Sequence, residues 1–171
     1  MRIGHLSKRF FGSLRPGGPS ADDTTWARSK LLPGEREIWQ QMSNSDRRHS
    51  VAVARRVERA LGHEAGRPVL AAALLHDCGK IDARLGAYGR VVATLSVSIA
   101  GRSAAEEWSE SRGFTRKIGL YVQHPNLGAD RLALAGSDPL TIAWTREHHS
   151  PEEEWTIPHP LATALKDADD D

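Results

Sequence analysis

The constraint that most limits how this chain can fold lies at residues 68–80, where an apolar run passes directly into His76-Asp77-Cys78-Gly79-Lys80. Residues 69–75 are almost continuously apolar and Pro68 stands at a favourable helix start, which predicts a central helix buried on all sides. Side chains adjacent in sequence point about 100° apart in mid-helix, so His76 and Asp77 cannot share a face there. At a helix end, where Gly79 breaks the geometry, both can converge on one centre. Leu70, Leu74 and Asp77 fall on one stripe, which aims Asp77 inward. A carboxylate in that position has to be paired or metal-bound, because burying a bare charge is costly.

The pattern around this junction is helical throughout. Short helices are expected at 22–31 and 34–42. A longer one should start at Ser45 as N-cap, with Val53, Val57 and Ala60 recurring at three-to-four spacing until Gly62 stops it. The stretch 91–100 is rich in β-branched residues, yet its isolation among helices predicts a buried helix rather than a strand. Further helices are expected at 103–111, 114–124, 126–135, 138–148 and 160–169, with Ser137 capping the fourth and Pro139 in its first turn. The fold class is therefore all-α: a single-domain helical bundle over 21–171, preceded by a basic arm, residues 1–20, that ends in the breaker cluster Pro16-Gly17-Gly18-Pro19. The arm carries Leu6, Phe10, Phe11 and Leu14 among basic neighbours. Two readings follow for it: docking on its own domain, or weak contact with a membrane surface.

Bulk properties exclude several functions. The 171 residues suit one domain, and 39% apolar content is enough to bury a core. Lys plus Arg (23) nearly balance Asp plus Glu (22), so no global field favours a stable nucleic-acid partner. No apolar run approaches the roughly 20 residues of a membrane span, and the start lacks the features of a signal peptide. A single cysteine, Cys78, fits a reducing, cytoplasmic setting.

The chain has eight histidines, and five fall at informative places. His49 shares its stripe with Val53 and Val57, which aims it at the interior. His76 opens the dyad. His124 precedes Pro125 at a junction between helices, and His148-His149 closes a helix whose inner face carries Leu140 and Trp144. Each alone is as well read as a core or surface histidine. Together they supply enough imidazole for a metal centre.

The order His49, His76-Asp77 and a late Asp in an Ala-Asp context resembles the HD superfamily of metal-dependent phosphohydrolases, and His76-Asp-Cys-Gly-Lys80 resembles that family's His-Asp-Ile-Gly-Lys signature. His124-Pro-x-x-Gly128 and His148-His149 resemble the HD-GYP branch, which are cyclic-di-GMP phosphodiesterases with two or three metals. The likeness covers residues 45–170. One departure is plain: that branch follows its His pair with a Gly-Tyr-Pro loop, whereas this chain has Ser150-Pro-Glu-Glu-Glu-Trp155.

The resemblance implies an HD-type bundle facing a metal centre, with His49, His76, Asp77, His124, His148, His149 and Asp169 as ligands. Imidazoles and carboxylates suit Fe, Mn, Co or Zn, and six or seven ligands exceed one tetrahedral ion. Two divalent transition-metal ions are expected. Asp77 would bridge them, with His49, His76 and Asp169 on the first and His124, His148 and His149 on the second, at the roughly 3.5–4 Å spacing used for in-line attack on phosphorus. The implied activity is hydrolysis of a phosphoester in a nucleotide, cyclic nucleotide or other small phosphorylated metabolite by a metal-bound hydroxide, with Asp77 and Lys80 catalytic and Lys80 contacting the phosphate. Two alternatives share the ligand set: a di-iron oxygenase, and a metal-binding regulatory or nucleotide-sensing module without turnover.

Helix geometry selects the last ligand. Asp169 lies about 40° from Leu165 and about 80° from Leu161 on the apolar stripe, whereas Asp167 lies about 160° from Leu165 on the other side. Of the remaining polar residues near these motifs, Cys78 reads as packing. Arg84, Arg90 and Arg131 read as surface charges or phosphate contacts, and Glu152-Glu-Glu154 as an acidic loop. His5, His63 and His159 match no motif position.

Overall fold

A computed structural model of the chain describes residues 17–170. Among the described residues there is no strand, and the chain is all-α. The helices are α1 (Ala21–Ser29), α2 (Pro33–Gln41), α3 (Asn44–Leu61), α4 (Arg67–Leu75), α5 (Lys80–Ala83), α6 (Ala87–Ala100), α7 (Arg102–Glu107), α8 (Gly113–Val122), α9 (His124–Leu134), α10 (Pro139–Glu147) and α11 (His159–Asp170). Leu6, Phe10, Phe11 and Leu14 of the arm lie outside the described residues. Its last residues are tied to the body: Arg48 donates to the Gly17 carbonyl, and the Ser20 hydroxyl caps α1. No helix among the described residues is long and apolar enough to cross a membrane.

The apolar run at 69–75 is the central helix its composition predicts. Every residue from Val69 to Leu75 is buried, and α4 packs against α2, α3, α10 and α11. Burying a Leu or Val side chain is worth about 1.5–3 kcal/mol, so a helix apolar on all sides is stable only with neighbours all round it. Trp39 and Trp144 fill the space beside it, and the Trp39 indole donates to Ser50 Oγ at 3.0 Å. A second, smaller cluster gathers Ala83, Leu85, Ala93, Ala105, Ile118 and Val122 from α5 to α8.

Several local expectations need correction. Ser43, not Ser45, caps α3, its hydroxyl accepting from Asp46 N. Asp138, not Ser137, caps α10, accepting from Leu140 N at 2.9 Å. The buried stripe of α3 runs through Ser50, Val53, Ala54 and Val57, and Ala60 lies outside it, exposed. The 91–100 stretch is helical, but it is not buried. Val91, Val92 and Leu95 are 40%, 45% and 59% exposed, because α6 meets its neighbours through the Ala93 and Val97 side.

The turn that carries the dyad is set by glycine. A Cβ on Gly79 would overlap the His124 carbonyl oxygen and come within 2.7 Å of Gly128 N. Gly128 is the counterpart: its Cβ would lie 3.0 Å from Gly79 N and 3.2 Å from Cys78 Sγ. These two glycines let the 76–80 turn press on the start of α9. Because the obstacle is backbone, it cannot rotate away. Gly79→Ala should lower stability by about 2 kcal/mol or more through overpacking. Gly86→Ala, where a Cβ meets nothing within 4 Å, should change it by less than about 1 kcal/mol. Urea unfolding of the two variants checks this ranking.

Candidate metal centre

The site grows out of helix ends. The last turn of a helix leaves carbonyl oxygens without an intrahelical partner, and three histidines stand where they can use them. His76 is the C-cap of α4 and His148 the C-cap of α10, while His124 follows the end of α8. Nδ1 of His76 donates to Ala73 O at 3.0 Å, Nδ1 of His124 to Tyr121 O at 2.6 Å, and Nδ1 of His148 to Thr145 O at 2.9 Å. A carbonyl can only accept, so each Nδ1 carries the proton, and each neutral ring presents a bare lone pair at Nε2.

Those three Nε2 atoms are buried and have no hydrogen-bond partner. Around them the structure gathers every ligand the sequence proposes. The donor atoms of His49, His76 and Asp77 all lie within 4.8 Å of one another, and so do those of His124, His148 and His149. Asp169 Oδ1 is 2.8 Å from His49 Nε2 and 3.5 Å from His76 Nε2. Asp77 stands between the groups. Its Oδ2 is 3.5 Å from His76 Nε2, and its Oδ1 is 3.4 Å from His124 Nε2 and 3.8 Å from His148 Nε2.

Such a set of donors fits divalent cations better than it fits itself. Lone pairs converging in a buried space repel, and buried polar atoms without partners each cost free energy. Ligands held at about 2.0–2.2 Å from an ion bring their donor atoms to the kind of separations found here. The Nδ1–carbonyl bonds are the outer partners that such imidazoles need to fix their tautomer and orientation.

Electrostatics points the same way. Burial opposes ionisation of Asp77, but the Lys80 ammonium, with His76 and His124, holds its carboxyl well below the usual range. Burial, followed by the neighbouring imidazoles of His149, His76 and His124, pushes His148 well below its ordinary value. Burial likewise lowers His124, and lowers His149 to about 3. His149 reaches solvent as a residue, yet its ring packs 4.1 Å from that of His148 and 5.2 Å from that of His124. His76 is the exception. Burial lowers its affinity for a proton, but Asp77 and Asp169 together raise it.

Lys80 stands against the dyad, its Nζ 2.5 Å from Asp77 Oδ2, and the Tyr121 ring lies 5.7 Å from the ammonium. Asp169 is buried at 7% exposure, whereas Asp167 is exposed and Asp170 pairs with Lys166 at 3.2 Å. Cys78 is fully buried, donates weakly to Gly128 O at 3.8 Å, and is pushed by burial up to about 12, as suits packing. Two of the three arginines are not solvated charges. Arg90 holds Asp46 through both terminal nitrogens, at 2.5 and 2.6 Å, and Arg131 reaches Asp82 at 2.7 Å. Arg84 is exposed.

Sequence reasoning missed the supporting carbonyls of Ala73, Tyr121 and Thr145 and the Tyr121 ring. The signal for the carbonyls was available, since each histidine lies three residues beyond one of them at a predicted helix end. Compared with protein-family models, curated proteins and solved structures, the chain matches none.

The metal-free protein should be sensitive to acid. His124, His148 and His149 resist protonation when folded, whereas the unfolded chain takes up protons near pH 6.5. Stability is therefore intact above about pH 6.5 and falls as pH drops below it. His76 opposes this, but three imidazoles outweigh one. Urea unfolding at pH 5 should show about 2 kcal/mol less stability than at pH 7.5. A flat profile across this interval would mean that these rings titrate freely.

Proposed function

We propose that this chain is a metal-dependent phosphoric ester hydrolase of the HD type, acting on a nucleotide, a cyclic nucleotide or another small phosphorylated metabolite. One observation carries the reading: a buried carboxylate, Asp77, turns one oxygen towards His76 and the other towards His124 and His148, and the Nε2 atoms of these three imidazoles are buried without a hydrogen bond. His49, His76, Asp77 and Asp169 would hold one divalent ion, and Asp77, His124, His148 and His149 the second. A pair of such ions, when bound, activates water and neutralises charge on a phosphoryl group.

The chain's own residues supply orientation. Nδ1 of His76, His124 and His148 stays protonated on a carbonyl, so none of these rings can turn its donor away. With His148 and His149 already neutral at physiological pH, metal loading there displaces no proton from either. Lys80 is the buried cation beside the centre, and a phosphoryl oxygen placed at Asp77 would meet its remaining N–H donors. The acidic turn Glu152–Glu154 follows His149 closely in the chain. Trp155, packed 5.8 Å from Trp144, anchors the loop behind it. This loop replaces the Gly-Tyr-Pro segment of the HD-GYP branch, and it leaves the substrate open within the class of phosphoesters. The lone, buried thiol of Cys78 supports a reducing, cytoplasmic setting.

The first test is metal content. Protein supplied with Mn, Fe, Co or Zn should bind about two ions per chain, because the donors exceed what one ion accepts. Asp77→Ala should lose most of both. A preparation that retains none by elemental analysis after resupply overturns the reading.

Turnover is the second. Hydrolysis of bis-p-nitrophenyl phosphate should require added metal, proceed without oxygen, and fall at least about 100-fold in His124→Ala and in His148→Ala. Asp169→Asn should weaken metal binding and rate strongly, while Asp167→Asn should leave both near wild type. Metal-bound protein that consumes O2 and hydrolyses no phosphoester would assign it to oxygen chemistry instead.

A further inference from the structure

Backbone geometry fixes Lys80 before any ligand arrives. Lys80 N donates to Asp77 O at 3.0 Å, Ile81 N to Cys78 O at 3.2 Å, and Asp82 N to Gly79 O at 3.2 Å. The 77–82 segment is thus one continuous turn, and its three-residue spacing brings Lys80 over Asp77. Gly79, clamped against His124 and Gly128, holds that turn in place. The Lys80 and Asp77 side chains are only 14% and 6% exposed, so water screens the pair weakly. The oxygen that Lys80 holds, Oδ2, is also the one that lies 3.5 Å from His76 Nε2.

A cation of the protein itself therefore sits on the carboxylate that both imidazole groups face. We propose that Lys80 is a resident competitor for metal: its ammonium neutralises Asp77 in the metal-free protein and weakens the binding of divalent ions there. This inference rests on the metal-binding reading and adds to it a role for Lys80 that precedes any contact with substrate.

Two effects of Lys80 on metal affinity oppose each other, and their sizes decide between them. As an outer hydrogen-bond donor that orients a ligand it would strengthen binding, and losing such a partner costs about 10–100-fold. As a positive charge a few ångströms from a divalent ion it repels. In a poorly screened site that repulsion, at an effective dielectric constant of about 20, exceeds the orienting benefit. The orienting benefit is also small here. Asp77 is already confined among His76, His124 and His148, so its carboxylate has little freedom left to lose.

The experiment titrates Zn2+ into metal-free protein against a chromophoric chelator, comparing wild type with Lys80→Met, Lys80→Gln and Lys80→Arg, each checked for helical content by circular dichroism. Lys80→Met and Lys80→Gln should bind Zn2+ at least about tenfold more tightly, and Lys80→Arg should stay near wild type. Lys80→Gln keeps an N–H donor without the charge, which separates repulsion from orientation. Metal-free Lys80→Met should also melt at a lower temperature and recover when Zn2+ is added, because the ion takes over neutralisation of Asp77. Equal or weaker affinity in both uncharged variants overturns the proposal, as does a variant that stays unfolded in excess Zn2+. A wild-type protein that binds no Zn2+, Mn2+, Co2+ or Fe2+ would overturn the metal-binding reading itself.

Discussion

A buried negative charge organises this molecule. Asp77 is 5% exposed and stands two residues beyond α4, which is buried from Val69 to Leu75. A lone carboxylate in such surroundings would cost several kcal/mol after relaxation. The structure surrounds it with Lys80 on one oxygen and imidazoles on both, so the cost is distributed over ion pairing and a donor set suited to cations. Burial of α4 is what makes this necessary. A helix exposed on one face could have turned Asp77 to water, whereas one packed on α2, α3, α10 and α11 delivers its C-terminal residues to the interior.

The same logic explains why the histidines stand at helix ends. An imidazole in mid-helix finds the nearby carbonyls already engaged, but at a C-terminus they are free. His76, His124 and His148 each donate to a carbonyl in the last turn of the preceding helix, and the bond orients the ring. Fold and site thus share atoms: the hydrogen bonds that finish α4, α8 and α10 also aim three lone pairs at Asp77. Gly79 and Gly128 complete the arrangement by allowing the dyad turn and the start of α9 to approach more closely than any side chain would permit.

How legible this was in the sequence depended on the range of the interaction. Features set by helical period were readable. Asp169 was separated from Asp167 by helix angle, in agreement with its Ala-Asp context, and it is the one that is buried and bonded to His49. The inward stripe of Val53 and Val57 was likewise visible in the spacing, with His49 half-buried at its edge and turned to Asp169. Local choices between neighbours were not. Ser43 and Ser45 are chemically equivalent caps, as Ser137 and Asp138 nearly are, and backbone details decide between them. Partners distant in sequence were the least accessible. Nothing near Arg90 announces Asp46, 44 residues away, so a bidentate, part-buried pair read as surface charge or phosphate contact. In the 91–100 stretch, apolar character alone could not show which face of α6 would find a neighbour.

The two apolar clusters give the site a further property. His49 and Asp169 come from α3 and α11, His76 and His148 end α4 and α10, and His124 opens α9, whose Leu132 lies in the same cluster, so these donors all belong to elements of the larger core. Tyr121, which orients His124 and covers Lys80, belongs to the smaller cluster with Ile118 and Val122. Asp77 lies at the seam, one oxygen facing His76 and the other facing His124 and His148. A cation at this carboxylate would therefore be held by elements of the larger core, with the smaller cluster reaching it through Tyr121. Binding at Asp77 would then be linked to the packing of α8 against the main body, through the Tyr121 carbonyl that orients His124. Ligand affinity and the stability of that contact would then be linked through Asp77, a residue that the close backbone approach at Gly79 holds in place.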